Sequence, residues 1–282
     1  MKYKNNTIAD ARFSKLIKHI ILIAVAVISV FPFYWMILTA LKSSSSVLEY
    51  PPSIIPHSFQ WSNFARVFEL MPTMWIAYWN SFKVAACATV GTLFTSAMAA
   101  YAFSKLRFRG KQKLFSLLVG TMMIPSQITL IPMYLIFAKL GWIDTHLPLI
   151  VPQVLTNAYG VFMIQQYMLS IPREYIEAAQ IDGCGHFKIF LNIMIPACKS
   201  ILMTLGLLTF VGSWNNYFNP LIYLKSDSKF TVPLIVASFR GVYTVQWELL
   251  MAASTLAILP VVLLFIFAQK YFVESISLSG IK

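Results

Sequence analysis

The polar residues with the most informative spacing lie in one segment, residues 171–196, which reads IPREYIEAAQIDGCGHFKIFLNIMIP. Within it, Glu177, Ala178 and Ala179 are followed by Asp182 and Gly183. The chemistry that these residue types offer is recognition. Ionised hydrogen bonds are stronger than neutral ones, and small side chains permit close approach. We therefore expect these five residues to form a surface that inserts into a second protein.

The local pattern predicts that this segment is two short helices joined by a turn. Pro172 suits a first helical position, and Glu174 lies in the first turn, where the helix dipole favours negative charge. Gly183 and Gly185 then provide a stop, and residues 186–195 form the second helix. Four residues recur at three- and four-residue spacing and are predicted to share one face: Tyr175, Ala178, Ala179 and Asp182.

Sequence signatures of catalysis and of metal binding are missing. The chain contains no G-x-x-x-x-G-K-[ST] loop, so it does not cradle nucleotide phosphates by itself. It also contains no H-E-x-x-H, no G-x-S-x-G and no C-x-x-C or Cys/His cluster. We expect no catalytic residue, no metal site and no disulfide framework in this chain.

Stretches of the chain without charged residues predict the transmembrane helices that position this segment. Of the 282 residues, 58% are hydrophobic and 11% are charged, whereas a soluble domain carries roughly 25% charged residues. About 20 apolar residues suffice for a helix to cross the hydrocarbon core. Windows without Asp, Glu, Lys or Arg predict an all-α, polytopic membrane protein with six transmembrane helices, at about 19–41, 84–104, 114–138, 147–170, 200–224 and 249–269.

The distribution of basic residues predicts the orientation. Fifteen Lys and Arg residues lie on the side of both termini and seven lie on the opposite side. Cytoplasmic segments of membrane proteins are richer in Lys and Arg than external ones. We therefore predict that residues 1–18 form a cytoplasmic arm, 171–196 a cytoplasmic loop and 270–282 a cytoplasmic tail. Residues 42–79 become an external loop. The net charge of +12 is explained by these loops and does not call for a nucleic-acid partner.

The spacing in the 171–196 segment is similar to a known motif. The residues Glu177-Ala178-Ala179, Asp182-Gly183, Ile193 and Pro196 match the EAA loop of ABC-importer permeases, and they fall between the fourth and fifth predicted helices. The stretch from Gly212 to Ile222 resembles the fifth helix of the carbohydrate-uptake branch, the MalG-like subunits. The chain departs from the usual pattern at four positions: Cys184, Ile195, Ser200 and, in the tail, Glu274.

The resemblance implies a type I ABC-importer permease (MetI-like) fold. It implies a second permease subunit that forms a heterodimer with this chain, two ABC ATPase subunits that bind ATP and Mg, and an extracytoplasmic solute-binding protein that delivers a carbohydrate. No cofactor is expected in this chain itself. Coupling to the ATPases is expected through Glu177, Ala178, Ala179, Asp182 and Gly183, in a bacterial or archaeal cytoplasmic (inner) membrane.

A second group, Trp214, Asn215, Asn216 and Tyr217, is a candidate for the substrate pathway. Aromatic rings stack on sugars, and amides form hydrogen bonds with their hydroxyl groups. Packing between helices explains the same residues equally well, and the sequence leaves both interpretations open.

Two other classes of membrane protein compete with this interpretation. An ion-coupled secondary transporter tends to carry ionisable groups at midplane depth, but the six windows contain no Asp, Glu, Lys or Arg. A membrane enzyme would need a catalytic constellation, and none of the common signatures is present. The permease interpretation is therefore favoured.

Overall fold

The computed structural model describes the backbone of residues 3–155, 157–239 and 246–279, and the side chains within 14–155, 157–239 and 246–269. Every regular element in these ranges is helical. Within them, four helices are long and apolar enough to cross a bilayer alone, and two sharply bent helix pairs raise the possible number of spans to six. The predicted all-α, multi-span membrane architecture is confirmed.

The first part of the chain contains α1 (Tyr3–Ala40), α2 (Ser62–Leu70), α3 (Met74–Lys105), α4 (Lys111–Thr121), α5 (Ser126–Lys139), α6 (Leu147–Leu155) and α7 (Ala158–Leu169). The second part contains α8 (Glu174–Ile181), α9 (His186–Ile189), a π-helical turn (Phe190–Met194), α10 (Ile195–Ala197), α11 (Lys199–Trp214), α12 (Phe218–Tyr223), a 3₁₀ turn (Asp227–Lys229), α13 (Val232–Ser238) and α14 (Trp247–Ser279). One compact unit comprises the chain up to Leu70 with Ser238–Leu256, and the other comprises Met71–Ala237 and the chain from Ala257.

The predicted transmembrane helix 114–138 is interrupted: α4 and α5 are bent by 95° across a four-residue break, and together they form one possible span. The break ends at Pro125, whose ψ of 132° is extended. Proline lacks the backbone N–H that would continue the helix, and it disfavours the helical conformation of the preceding Ile124. The absence of charged residues predicts that a segment can lie in the lipid, but it does not predict whether the helix is straight or bent.

The predicted helix 200–224 is also divided, because α11 ends at Trp214 and α12 begins at Phe218. The side chain of Asn216 accepts the backbone N–H of Asn219 at 3.1 Å. Such a side-chain bond competes with the helical backbone bond. At the other end of α11, the helix pair His186–Ala197 and Lys199–Trp214 is bent by 79°.

The helices of the first, second and last predicted spans are longer than the charge-free windows that predicted them. The second span starts at Met74, so residues 74–79 of the predicted external loop are helical. The first helix extends back to Tyr3 and the last continues to Ser279, so much of the predicted arm and tail is helical as well. Helices continue into the polar membrane boundary, where charges are tolerated. Residues 280–282 of the predicted tail lie outside the described residues.

The second span, α3, packs closely on the pair α6 and α7. A Cβ atom at Gly91 would overlap both Cγ atoms of Val154, so glycine is needed for this approach. The hydroxyl groups of Thr92 and Thr95 donate to the carbonyls of Gln153 (3.0 Å) and Val154 (2.6 Å). These carbonyls lie at the end of α6, where helical partners run out, and side-chain hydroxyl groups replace those partners.

The loop that follows α12 is fastened by side chains of the same unit. Asp144, at φ 60°, accepts the backbone N–H groups of Lys225 (2.8 Å) and Ser226 (2.9 Å) and the Ser226 hydroxyl. The amide nitrogen of Asn80 donates to the carbonyl oxygens of Ser228 and Phe230, both at 3.0 Å. The hydrogen bond from the Ser226 hydroxyl, followed by the two backbone bonds, lowers the pKa of Asp144 to about 2.

The unit that contains α1 and α2 is fixed around a buried lysine. Lys42 is 1% exposed, and its ammonium donates to the carbonyl of Ser53 at 2.9 Å. The amide nitrogen of Asn63 donates to the carbonyls of Ala40 and Lys42, both at 2.9 Å. The bonds from Asn63 satisfy backbone carbonyls where the first span ends, and the bond from Lys42 fastens the following loop at Ser53.

Candidate functional site

The turn between α8 and α9 is a Schellman motif. Gly183 has φ +76°, its N–H donates to the carbonyl of Gln180 at 3.0 Å, and the N–H of Cys184 donates to the carbonyl of Ala179 at 2.9 Å. These two bonds satisfy carbonyls that the end of a helix leaves open. The glycine that the sequence predicted as a stop therefore adopts the left-handed conformation that this motif requires.

The accessible face of α8 differs from the predicted one. Glu177, Ala178 and Asp182 are exposed, but Ala179 is 7% exposed and packs with Ile176 in a buried cluster. The prediction that Ala178 and Ala179 share one face is wrong. Adjacent helical residues point about 100° apart, whereas residues three positions apart, such as Ile176 and Ala179, lie on the same side.

Three contacts fix this helix pair to the last turns of α3. The hydroxyl of Tyr101 lies 3.1 Å from Nδ1 of His186, and its ring centroid lies 5.5 Å from that of Phe190. The ammonium of Lys105 donates to the carbonyl of Ile171 at 2.6 Å. A typical hydrogen bond contributes about 1 kcal/mol net. A membrane span thus holds the helix pair by hydrogen bonds and by apolar packing.

A cleft of about 610 Å³ opens beside α8. Its polar and charged lining consists of Lys105, Arg107, Arg173, Glu177, Gln180 and His186. Among the described residues, Lys105, Arg107 and Arg173 have no carboxylate at ion-pair distance. The described part of the chain also contains no group of three or more His, Cys, Asp or Glu residues that could hold a metal ion. The cleft is therefore suited to an anion.

A second cleft, of about 560 Å³, lies between residues of α6, α7, α11 and α12. Side chains with amide or hydroxyl groups line it together with leucines, and these are Gln153, Asn157, Tyr159, Thr209, Ser213, Asn216 and Asn219. The buried hydroxyl of Ser213 has no hydrogen-bond partner among the described residues. Such groups donate to and accept from a neutral polar solute without the cost of burying a charge.

Only one of the four residues proposed for a substrate pathway lines this second cleft. Trp214 is 3% exposed, its indole N–H donates to the carbonyl of Ala257 at 3.1 Å, and its ring stacks on that of Phe210. These contacts favour the packing interpretation of Trp214. Asn215 and Tyr217 are exposed but do not line the cleft, whereas Asn216 does.

Sequence reasoning missed Gln153, Asn157, Tyr159 and Asn219 as lining residues of the second cleft. A signal for three of them exists in the sequence. Gln153 and Asn157 are four residues apart in one charge-free window, and Asn219 follows Asn216 by three positions in another. Amides at helical spacing in an apolar window share a face.

Comparison with known proteins identifies relatives over most of the chain. Residues 91–278 match the family model described as "Binding-protein-dependent transport system inner membrane component". The chain is 32% identical over 260 residues to the arabinooligosaccharides transport system permease protein AraQ of Halalkalibacterium halodurans, which covers 92% of this chain and 93% of that protein. It is 28% identical to the lactose transport system permease protein LacG of Rhizobium radiobacter, over 93% of this chain and 95% of that protein.

The fold also matches a solved structure, that of a bacterial ABC transporter involved in the import of the acidic polysaccharide alginate. The TM-score is 0.81 with 24% sequence identity, and the match covers 93% of this chain and 98% of the other. The overall helical fold is therefore shared with that structure.

Proposed function

This chain belongs to the family of binding-protein-dependent transport system inner membrane components, and from that premise we propose that it carries a sugar or oligosaccharide through the membrane in an ATP-driven importer. The chain is a permease subunit and not an enzyme, because in this family ATP is hydrolysed by separate ATPase subunits. No comparison supports the ion-coupled alternative. The relatives named for arabinooligosaccharides and lactose support a carbohydrate substrate.

The exposed residues of α8 carry the coupling part of the proposal. Glu177, Ala178 and Asp182 are accessible, while the opposite side of the helix is buried against the membrane domain. The Glu177 carboxylate forms a charge-assisted contact with a basic group of the ATPase. Ala178 lies against the ATPase surface, whereas Ala179 and Gly183 set the position and the turn of the helix.

The second cleft forms part of the sugar pathway. Its amide and hydroxyl groups exchange hydrogen bonds with sugar hydroxyl groups as the solute leaves water. Asn216 is the residue of the original four that serves this role, together with Gln153, Asn157 and Asn219. Neutral lining groups suit neutral sugars, because they release a bound solute more readily than a charged site would.

The assembly follows from the same family relationship. This chain pairs with a second permease subunit as a heterodimer and works with two ATPases, which bind the ATP and Mg, and with an extracytoplasmic solute-binding protein. Fifteen Lys and Arg residues lie on the predicted side of the termini and of α8, and seven lie on the opposite side. This difference supports a cytoplasmic position for both termini and for α8 in a bacterial or archaeal inner membrane.

The proposal is tested by reversing the charge of Glu177 in the assembled transporter. Glu177→Lys should insert into the membrane normally, lose co-purification with the ATPase and lose ATP-driven uptake in reconstituted vesicles. Glu177→Gln should give a weaker loss. Asp227→Lys is the control: it makes the same charge change in the 3₁₀ turn Asp227–Lys229, outside residues 171–196. This variant should still co-purify with the ATPase.

The solute is identified first by a screen of sugars against the cognate binding protein, whose affinity should not change in any variant. Wild-type ATPase association and uptake by Glu177→Lys would contradict the coupling role. Uptake that needs an ion gradient and no ATP would contradict the function itself.

A further inference from the structure

The basic residues of the cleft beside α8 lie at the ends of membrane spans. Lys105 is the last residue of α3, and Arg107 follows it by two positions. Arg173 follows the end of the candidate span Leu147–Leu169 by four positions. The hydrogen bond from Lys105 to the carbonyl of Ile171, at 2.6 Å, holds these two span ends at the same level. That level is a membrane boundary, where lipid phosphates are concentrated.

The charges of this cleft are not balanced within the described part of the chain. Lys105, Arg107 and Arg173 contribute three basic side chains, and Glu177 is the one carboxylate of the lining. Glu174, outside the lining, also acts electrostatically on Lys105, so the basic groups still exceed the carboxylates by three to two. None of the three basic side chains is in an ion pair among the described residues. Guanidinium groups match phosphate oxygens with two parallel hydrogen bonds, and the Lys105 ammonium retains protons beyond the one given to Ile171.

From these observations we propose that the cleft beside α8 binds the phosphate group of an anionic lipid, with phosphatidylglycerol as the simplest example. The volume of about 610 Å³ admits a headgroup. Leu106 and Ile176 in the lining provide apolar contact for the start of the acyl region. Basic pockets between membrane helices are established sites for such headgroups. The site is independent of the sugar pathway.

The test compares two variants that lose the same charge. Arg107→Gln with Arg173→Gln removes two cations from the cleft, and Arg109→Gln with Lys113→Gln removes two exposed cations nearby that do not line it. The full detergent-solubilised transporter is titrated with phosphatidylglycerol and with phosphatidylcholine, and bound lipid is measured by native mass spectrometry. The cleft variant should bind phosphatidylglycerol about 30-fold more weakly. The control variant should change it only a few-fold.

Each alternative has its own result. Equal weakening in both variants would mean diffuse attraction and would overturn the site. Displacement of phosphatidylglycerol by inorganic phosphate at similar concentration would assign the cleft to a free anion and overturn the lipid assignment. Loss of ATPase co-purification in the cleft variant, with lipid binding unchanged, would assign the cations to protein contact. Melting in phosphatidylcholine alone confirms that both variants are folded.

Discussion

Replacing Gly183 with alanine tests whether backbone conformation holds the coupling turn. Gly183 has φ +76°, and a Cβ atom there would meet nothing within 4 Å. No clash therefore contributes to the cost, and the whole penalty comes from the left-handed backbone, which costs an L-residue roughly 1–2 kcal/mol. Gly185 is the matched control, because its Cβ also has open space but its φ is −71°.

The expected effect is a turn that opens more often. A penalty of roughly 1–2 kcal/mol corresponds to about 5- to 30-fold more opening. Hydrogen exchange of the Gly183 and Cys184 amides, which donate to Gln180 and Ala179, should speed up by that factor in Gly183→Ala. Gly183→Asn should be affected less, because asparagine tolerates the left-handed region, and Gly183→Val should be affected more.

The same variants should rank in the same order for ATPase co-purification, with Gly185→Ala near wild type in both assays. Identical exchange rates in Gly183→Ala and Gly185→Ala would refute the conformational argument. Normal exchange with lost ATPase binding in Gly183→Ala would instead show that the added methyl group itself obstructs the partner.

Three further perturbations probe other parts of the molecule. Asp144→Asn should lower the melting temperature at neutral pH. The pKa of Asp144 in the folded protein, about 2, lies below the ordinary value of 3.8. The stability of the wild type should therefore fall as the pH drops from about 4 to about 2, and the variant should lack that fall. Gly91→Ala should cost roughly 1–3 kcal/mol by overpacking against Val154, and Val154→Ala in the same chain should restore the melting temperature. Asn219→Leu should reduce sugar uptake about 2- to 12-fold through one lost hydrogen bond to the sugar; Asn216→Leu should reduce it at least as much, because it also loses the bond to the Asn219 backbone. Uptake by both variants like that of Asn215→Leu, which does not line the cleft, would contradict this role.

The coupling site shows how far local sequence can predict structure. The turn at Gly183 was predictable because its chemistry is local: only glycine enters the left-handed region without a penalty. The inward orientation of Ala179 was not predictable, because it depends on Ile176 and on a buried cluster whose members come from distant parts of the chain.

The residues that line the second cleft were harder to predict from the sequence. Gln153, Asn157 and Asn216 come from separate windows, and only packing brings them to one surface. The sequence left Trp214 open between the substrate pathway and packing; its burial and its bond to the carbonyl of Ala257 favour packing. A tryptophan side chain alone does not specify which partner it will find.

Sequence by itself determined the membrane class and the number of possible spans, because the cost of placing charges in lipid is a property of each residue and of its window. It also determined the family, through spaced residues of the coupling loop. Tertiary structure decided where α6 can end. Thr92 and Thr95 of α3 replace the missing helical partners of the carbonyls at that end, so its position depends on whether another helix can satisfy the freed backbone groups. That condition involves two distant segments at once, and neither window carries it alone.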